Sequence, residues 1–351
     1  MNLVIIPSFK KDYVGGPATF SRRLKDYLEF CEASAGGLPG SCTKAVLIIN
    51  ASRDYLTILV ALLKRIPIYT RVGSIYRSNI FEDTTAKAKL RYALSLARIC
   101  LNVLLSRGVI YQSETIKHEW DQLFFARRKR FRIIYNPKPR CFPQGGSSGD
   151  LEKIFKVRNH LAAVSVPSSV LILAYEANHP TPDRALPYLV FRELMKQGVA
   201  AQLAVFGHFN EAWKEEANEH NQIILGGKLD CFYSIKELGN LRPIFVGSDL
   251  VPAGCPNSVI EMMTLGIPIL CYQNTATHEI ADSAGLFIDA RKSDLLKGNF
   301  PNLGGFAGAA LELIAAYTDY SAKALQRSNL FSEENTLAKY LEFISATGVN
   351  K

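Results

Sequence analysis

Glu261 stands one helical turn inside a segment whose residue types suit an anion and a diol held side by side. The segment runs Pro256-Asn257-Ser258-Val259-Ile260-Glu261-Met262-Met263-Thr264-Leu265-Gly266-Ile267-Pro268-Ile269-Leu270. Pro256 fits a first helical turn, where its missing N–H costs nothing, and Asn257 or Ser258 can cap neighbouring donors. Gly266 ends the helix and Pro268 keeps it from resuming. Such a helix start presents unpaired backbone N–H groups and the positive end of the helix dipole, which suit a phosphate. The Glu261 carboxylate can accept hydrogen bonds from a vicinal diol such as a ribose. Diphosphate and ribose together describe a nucleotide.

The elements that must position these groups alternate strand and helix. Strands are expected at Leu3–Ile6, Ala45–Ile49, Ile68–Arg71, Val109–Tyr111 and Arg132–Tyr135, and helices at Thr19–Phe30, Tyr55–Lys64, Thr85–Leu105 and Glu114–Phe124. After a break at Asn136-Pro137-Lys138-Pro139 and a linker at Gln144–Gly149, a second series follows. Its strands are expected at Val170–Tyr175, Gln202–Phe206, Gln222–Leu225, Ile244–Val246, Ile267–Tyr272 and Gly285–Ile288. A last helix, about Glu333–Ser345, starts at Ser332. Alternation of this kind predicts an α/β protein with two Rossmann-like, doubly wound parallel sheets. The 351 residues, 48% of them apolar, are enough for two cores.

Charge is divided unevenly. Residues 1–150 hold 24 Lys and Arg against 11 Asp and Glu, a net +13 within a total of +9. The first half is therefore expected to meet something anionic, and Arg127-Arg128-Lys129-Arg130-Phe131-Arg132 is its densest run. Met1–Pro7 is too brief an apolar stretch for a signal peptide, and Tyr92–Leu105 is interrupted by Arg98 and Asn102. Seven scattered cysteines without a CxxC pair fit a reducing compartment, so a cytoplasmic location is expected.

The stretch Gly254-Cys255-Pro256-Asn257-Ser258-Val259-Ile260-Glu261, with Gly266-Ile267-Pro268, resembles the donor-site signature of the retaining GT-B glycosyltransferases. It is closest in pattern to the GT4 branch that carries Cys-Pro-Asn-Ser. Other segments match in order: Gly15-Gly16-Pro17 after the first strand, Arg71-Val72-Gly73-Ser74-Ile75-Tyr76, Ile110–Glu114, Ile134–Pro137, Asp183-Arg184-Ala185 and Leu225–Leu229. The resemblance implies two domains facing a central cleft, residues 1–143 on the acceptor side and 150–331 binding a nucleotide sugar. A final helix at about 332–347 would return to the first domain. It implies catalytic roles for Arg184, on the donor phosphates, and Glu261, on the ribose. Gly15, Gly16, Cys255, Pro256, Asn257, Ser258 and Glu279 would line the donor site, and Arg71 and Tyr76 the acceptor side.

The resemblance further implies a hexosyltransferase that needs no metal and no cofactor beyond its nucleotide-sugar donor. A glycan or polyprenyl-pyrophosphate-linked acceptor would be used in surface polysaccharide synthesis, with peripheral contact to an anionic inner membrane face. Two departures stand out. The family's first acid falls at Gly254 and a cleft aspartate at Gly73, which leaves open a degenerate GT-B protein that binds or scaffolds without catalysis.

Other chemistries lack their residues. No Gly-x-Gly-x-x-Gly follows the first strand, and neither a P-loop nor a Gly-x-Ser-x-Gly elbow is present. His118-Glu119 and His278-Glu279 open like zinc hydrolase motifs, but their i+4 positions are Gln122 and Asp282. Asp-x-Asp, the usual metal-diphosphate clamp of GT-A enzymes, does not occur. A nucleic-acid partner is not expected.

Overall fold

Short apolar runs without polar interruption become parallel strands covered on both faces. The computed structural model describes residues 3–6, 16–30, 44–50, 52, 54–75, 85–123, 126, 129–138, 148–164, 169–175, 181–247, 254–273, 275–296 and 299–346. The chain divides into two units. The first comprises Met1–Pro139, Val251–Pro256 and Phe331–Lys351, and the second Arg140–Leu250 and Asn257–Leu330.

In the first unit, β1 (Leu3–Ile6), β2 (Ala45–Ile49), β3 (Ile68–Val72), β4 (Gly108–Tyr111) and β5 (Arg130–Ile133) form one sheet in that order. Every pairing is parallel. The helices are α1 (Gly16–Phe30), α2 (Tyr55–Leu63), α3 (Ala86–Leu105) and α4 (Glu114–Trp120). Phe20 and Leu24 of α1 pack on one face of the sheet with Leu3, Ile5, Leu47 and Tyr69. Ile58 and Ala61 of α2 pack with Val4, Ile6, Val46 and Ile48, and Ile99 and Val103 of α3 with Val72, Val109 and Tyr111. Alternating side chains along β1 and β2 thus enter opposite cores.

Three helix starts follow side-chain caps. Asp54 accepts from the Thr57 N–H at 3.1 Å, Thr85 from Ala88 at 3.2 Å and Ser113 from Ile116 at 3.2 Å. The first helix begins at Gly16, three residues earlier than its apolar pattern, because Pro17 is harmless in an opening turn. The basic run is not a free loop: β5 starts at Arg130, so its second half is strand. Arg127 and Arg128 lie outside the described residues.

The second unit holds α5 (Ser148–Val164), β6 (Val170–Tyr175), α6 (Leu186–Lys196), β7 (Ala201–Phe206), α7 (Glu211–Glu219), β8 (Ile223–Gly227) and β9 (Ile244–Val246). Next come α8 (Asn257–Thr264), β10 (Ile269–Tyr272), α9 (Ala276–Ala281), β11 (Gly285–Ile288), α10 (Lys292–Leu296), α11 (Leu303–Ala315) and α12 (Tyr317–Ser328). The six strands are ordered β11-β10-β9-β6-β7-β8, all parallel. Phe191 and Leu194 of α6 and Phe306 and Leu313 of α11 share one core with Ile172, Leu203 and Val246.

Ser148 and Gly149, expected at the end of a linker, are the first turn of α5 instead. Asp150 is fully buried there and accepts backbone N–H groups of Asp230, at 3.0 Å, and Cys231, at 2.8 Å. That pairing fixes the turn.

The last helix, α13 (Glu333–Ser345), starts at Ser332, which accepts from Asn335 N–H at 3.2 Å. Its Leu337, Tyr340, Phe343 and Ile344 complete the core that Leu3, Ile5 and Leu47 begin. Among the described residues no helix is long and apolar enough to cross a membrane.

Candidate functional site

The second sheet has a point where chain order reverses. From β6 the chain moves outward to β7 and β8, then returns to β9 on the other side of β6 and continues to β10 and β11. β6 and β9 are direct neighbours, with Ile172 opposite Ile244. In open α/β sheets the loops leaving two such strands diverge at their carboxyl ends and leave a crevice for a ligand. Arg184 follows β6, and the Asn257–Glu261 helix start follows β9. Glu279 follows β10, the next strand over.

Beyond β6 the chain makes a single tight turn, Pro182–Arg184, closed by Ala185 N–H on Pro182 O at 3.0 Å. Pro182 is buried, while Asp183 and Arg184 are exposed. Among the described residues the Arg184 guanidinium has no hydrogen bond or ion pair. Glu176–Pro180, the front of the loop, lies outside the described residues.

Beyond β9, α8 begins at Asn257, so Pro256 sits just before the helix and not in its first turn. Asn257 and Ser258 are half-buried at its start, and Val259, Ile260, Met262 and Met263 are fully buried. Glu261 is 8% exposed. The helix closes as its sequence predicts. Gly266 takes a left-handed φ of 72°, its N–H bonds Met263 O, and Ile267 N–H reaches back to Met262 O, both at 3.0 Å. A Cβ on Gly266 would also lie 2.8 Å from Ser321 Oγ of α12.

Glu279 lies in α9, whose cap Thr275 accepts from His278 N–H at 3.2 Å. It is half-buried. Burial lowers the pKa of its neighbour His278 below the ordinary value, against the opposing charges of Asp282 and Glu279. Among the described residues, no three His, Cys, Asp or Glu side chains gather as a metal set.

The remaining candidates fall in the first unit. Gly15 and Tyr76 lie outside the described residues, and Gly16 is the first residue of α1. Arg71, expected on an acceptor surface, is 1% exposed. Its Nε donates to Tyr340 Oη at 3.0 Å, another guanidinium N–H goes to Asn136 Oδ1, and the cation lies 3.9 Å from the Phe20 ring centre. Such a group is an internal strut, because it is buried and its hydrogen bonds and ring contact all lie within its own unit.

Cys255 is also anchored internally. Asn136 donates its N–H to Cys255 Sγ at 3.2 Å and its side-chain amide to Cys255 O at 2.7 Å. Asn136, read from sequence as architectural, therefore ties Arg71 to Cys255 within the first unit.

Gln112 was not among the expected site residues, yet both departures from the GT4 pattern meet at it. A Cβ on Gly254 would lie 2.7 Å from Gln112 Oε1, and one on Gly73 3.1 Å from Gln112 Nε2. Gln112 is 7% exposed and occupies the space that both missing side chains would need. Gly73 is fixed by its N–H on Asn50 Oδ1 at 3.0 Å and its carbonyl on Trp120 Nε1 at 2.9 Å. The paired absence of acids at 73 and 254 was the sequence signal; the residue filling the gap was legible only in three dimensions.

Gly254→Asp is accordingly expected to lower stability by about 1–3 kcal/mol through overpacking, and Gln112→Ala in the same chain should restore most of that loss. Thermal unfolding of the single and double variants measures the coupling. Simply additive losses would mean that Gln112 does not fill the Gly254 space.

No family model matches the sequence, and no curated protein matches it. Solved structures do. A glycosyltransferase from Rickettsia africae superposes with a TM-score of 0.65 at 13% identity, covering 99% of this chain and 98% of that one. Anabaena HepE, solved in complex with UDP and glucose, gives 0.58 at 12% identity over 98% of each chain. Sucrose-phosphate synthase from Thermosynechococcus elongatus gives 0.61 at 12% identity over 99% of each. The fold is GT-B. In this GT-B chain the second unit brings Arg184 and α8 to the carboxyl edge of adjacent strands.

Proposed function

We propose that this protein transfers a sugar from a nucleotide diphosphate to a hydroxyl acceptor. One observation carries the reading: an exposed guanidinium, Arg184, with no partner among the described residues, and the start of α8 follow the two strands that flank the switch point. The diphosphate lies between Arg184 and the N–H groups at Asn257 and Ser258, with the ribose on Glu261 and Glu279 nearby. As the glycosidic bond breaks, negative charge grows on the leaving phosphate, so donors already aimed there lower the barrier. Retention of configuration, independence of metal and membership of the Cys-Pro-Asn-Ser branch of GT4 belong to this reading. So do a hexose donor, a glycan or polyprenyl-pyrophosphate-linked acceptor, surface polysaccharide synthesis and work at the cytoplasmic face.

Thermal unfolding against UDP, GDP, ADP, CMP and NAD tests the donor site. A nucleoside diphosphate at a hundred times its dissociation constant is expected to add about 2.7 kcal/mol, a clear rise in midpoint. UDP leads the panel, since HepE is described with UDP and glucose. A rise with NAD alone would overturn the reading.

A second reading rests on Gln112, which fills the place of both GT4 acids. Under it the protein binds a nucleotide sugar without turning it over. A nucleotide-dependent rise in midpoint with no product from any sugar donor would favour that reading.

A further inference from the structure

Three residues meet at the carboxyl edge of the first sheet, each directly after a strand. Asn50 follows β2, Gly73 follows β3 and Gln112 follows β4. The strands are neighbours in register, with Ile49 opposite Arg71 and Val72 opposite Tyr111. Gly254 of the same unit joins them, and the Gln112 carboxamide lies between the two glycines, Oε1 toward Gly254 and Nε2 toward Gly73.

Gln112 is the unusual member. It is more than nine-tenths buried, yet among the described residues its amide gives and takes no hydrogen bond. A buried amide left unpaired costs free energy that an apolar side chain of the same size would not. Nor is it sealed. Among the described residues the polar atoms with neither partner nor exposure are Asn102 Oδ1 and Ser234 Oγ, so the Gln112 amide keeps a window to solvent.

Asn50 adds a second open group. Its N–H donates to Arg71 O at 2.8 Å, its Oδ1 accepts from Gly73 N–H at 3.0 Å, and its carbonyl accepts from Asn102 Nδ2 at 3.2 Å. These bonds hold it at a left-handed φ of 55° and leave its Nδ2 without a partner among the described residues. A Cβ on Gly73 would meet Gln112 Nε2 at 3.1 Å and Asn50 Nδ2 at 4.0 Å, so both amides flank one point. The charges bonded into these loops are committed elsewhere. Arg71 is the buried strut, and Glu119, 1% exposed, accepts from Ser74 Oγ at 2.8 Å and Ile75 N–H at 3.3 Å. What stays open is neutral.

We infer that Gln112 and Asn50 bind the hydroxyls of an uncharged sugar, with Gln112 as the residue that sets this specificity. A hydroxyl both donates and accepts, so it can satisfy either end of a carboxamide. A carboxylate, phosphate or ammonium would enter with no opposite charge to offset its desolvation. The choice of a sugar among neutral polyols rests on the sugar-transfer reading; the selection against charge does not.

Saturation-transfer NMR on the full chain tests it with methyl glycosides of glucose, galactose, mannose and N-acetylglucosamine, and with the charged glucuronide and glucosaminide. At least one neutral glycoside should bind, and the charged pair about tenfold more weakly or worse. Gln112→Met keeps the volume and removes the amide, so glycoside binding should fall about fivefold for each hydrogen bond lost. The same variant should melt no lower than wild type, because the free protein gives the amide no partner. A side chain that only filled space would leave binding unchanged. No neutral glycoside bound, equal binding of the charged pair, wild-type-like binding by Gln112→Met, or a clear fall in its midpoint would each overturn the inference. UDP-glucose added to the bound glycoside names the source: displacement assigns the site to the donor's sugar, joint binding to the acceptor's. Glycoside binding without any nucleotide-dependent rise in midpoint would sink the sugar-transfer reading and leave this site standing. A nucleotide-dependent rise without glycoside binding would do the reverse.

Discussion

Replacing Arg184 by alanine lowers kcat for the proposed transfer about a hundred- to a thousandfold and leaves the melting curve unchanged. The size follows from where charge appears. The leaving diphosphate gains negative charge only as the bond breaks, so a guanidinium aimed at it acts on the transition state more than on the bound donor. The unchanged melting follows from exposure, since Arg184 supports no neighbour among the described residues. Arg184→Lys should recover part of the loss, because it restores the charge but not the paired geometry. Glu261→Ala should lower kcat/KM at least tenfold, about 1.4 kcal/mol or more of lost transition-state binding. Steady-state kinetics on both variants checks this, and wild-type-like turnover removes the residue concerned from the mechanism.

The second large effect is on folding. Arg71→Ala is expected to destabilise the first unit by about 3–5 kcal/mol, in the range of losing a buried charged partner. It empties a large buried volume beside Phe20 and leaves Tyr340 Oη and Asn136 Oδ1 each short of a charged donor. Tyr340→Phe is milder, about 1–3 kcal/mol, because it strands one guanidinium N–H.

Tyr340 also sets an alkaline limit. Burial raises its pKa from 10.0 to about 12, against the opposing pull of Arg71. A group with a raised folded pKa gives its full stabilisation below the unfolded value and loses it as pH climbs through the folded one. Stability should therefore fall between pH 10 and about 12, less steeply in Tyr340→Phe than in wild type. Urea titrations across that range measure both effects. Arg71→Ala melting like wild type would deny the strut.

Much of the fold was legible because parallel strands buried on both faces read as bare apolar runs. Leu3–Ile6, Ala45–Ile49, Val170–Tyr175, Ile244–Val246 and Gly285–Ile288 coincide with their sequence patterns residue for residue. The errors share a cause: composition is local and burial is not. Ser148 and Gly149, at the end of the Gln144–Gly149 stretch that reads as linker, are helix instead, because Asp150 finds two backbone donors some eighty residues away. Arg71, placed by the resemblance on the acceptor side, is met by Phe20, Asn136 and Tyr340 from three distant segments. In α3, Ile99 and Leu101 are equally apolar but lie on opposite sides of the helix, and only the sheet decides which side is covered. At the candidate site, the helix of Glu261 and its Gly266 stop were visible in sequence. The filling of Gly73 and Gly254 by one glutamine was not.

The closing helix has a consequence for biosynthesis. Tyr69 Oη bonds Ile344 O at 3.2 Å, and Leu337 and Phe343 finish a core that Leu3 and Ile5 begin. A ribosome adding about 5–20 residues per second needs roughly 17–70 s to pass from one end of that core to the other. The second unit, whose strands lie wholly within that interval, can complete its sheet first. Until α13 emerges, the apolar face over β1 and β2 stays open to chaperones or to other nascent chains. A stop codon just before Glu333 would make that exposure permanent, so loss of α13 is expected to yield aggregate instead of a weakened protein.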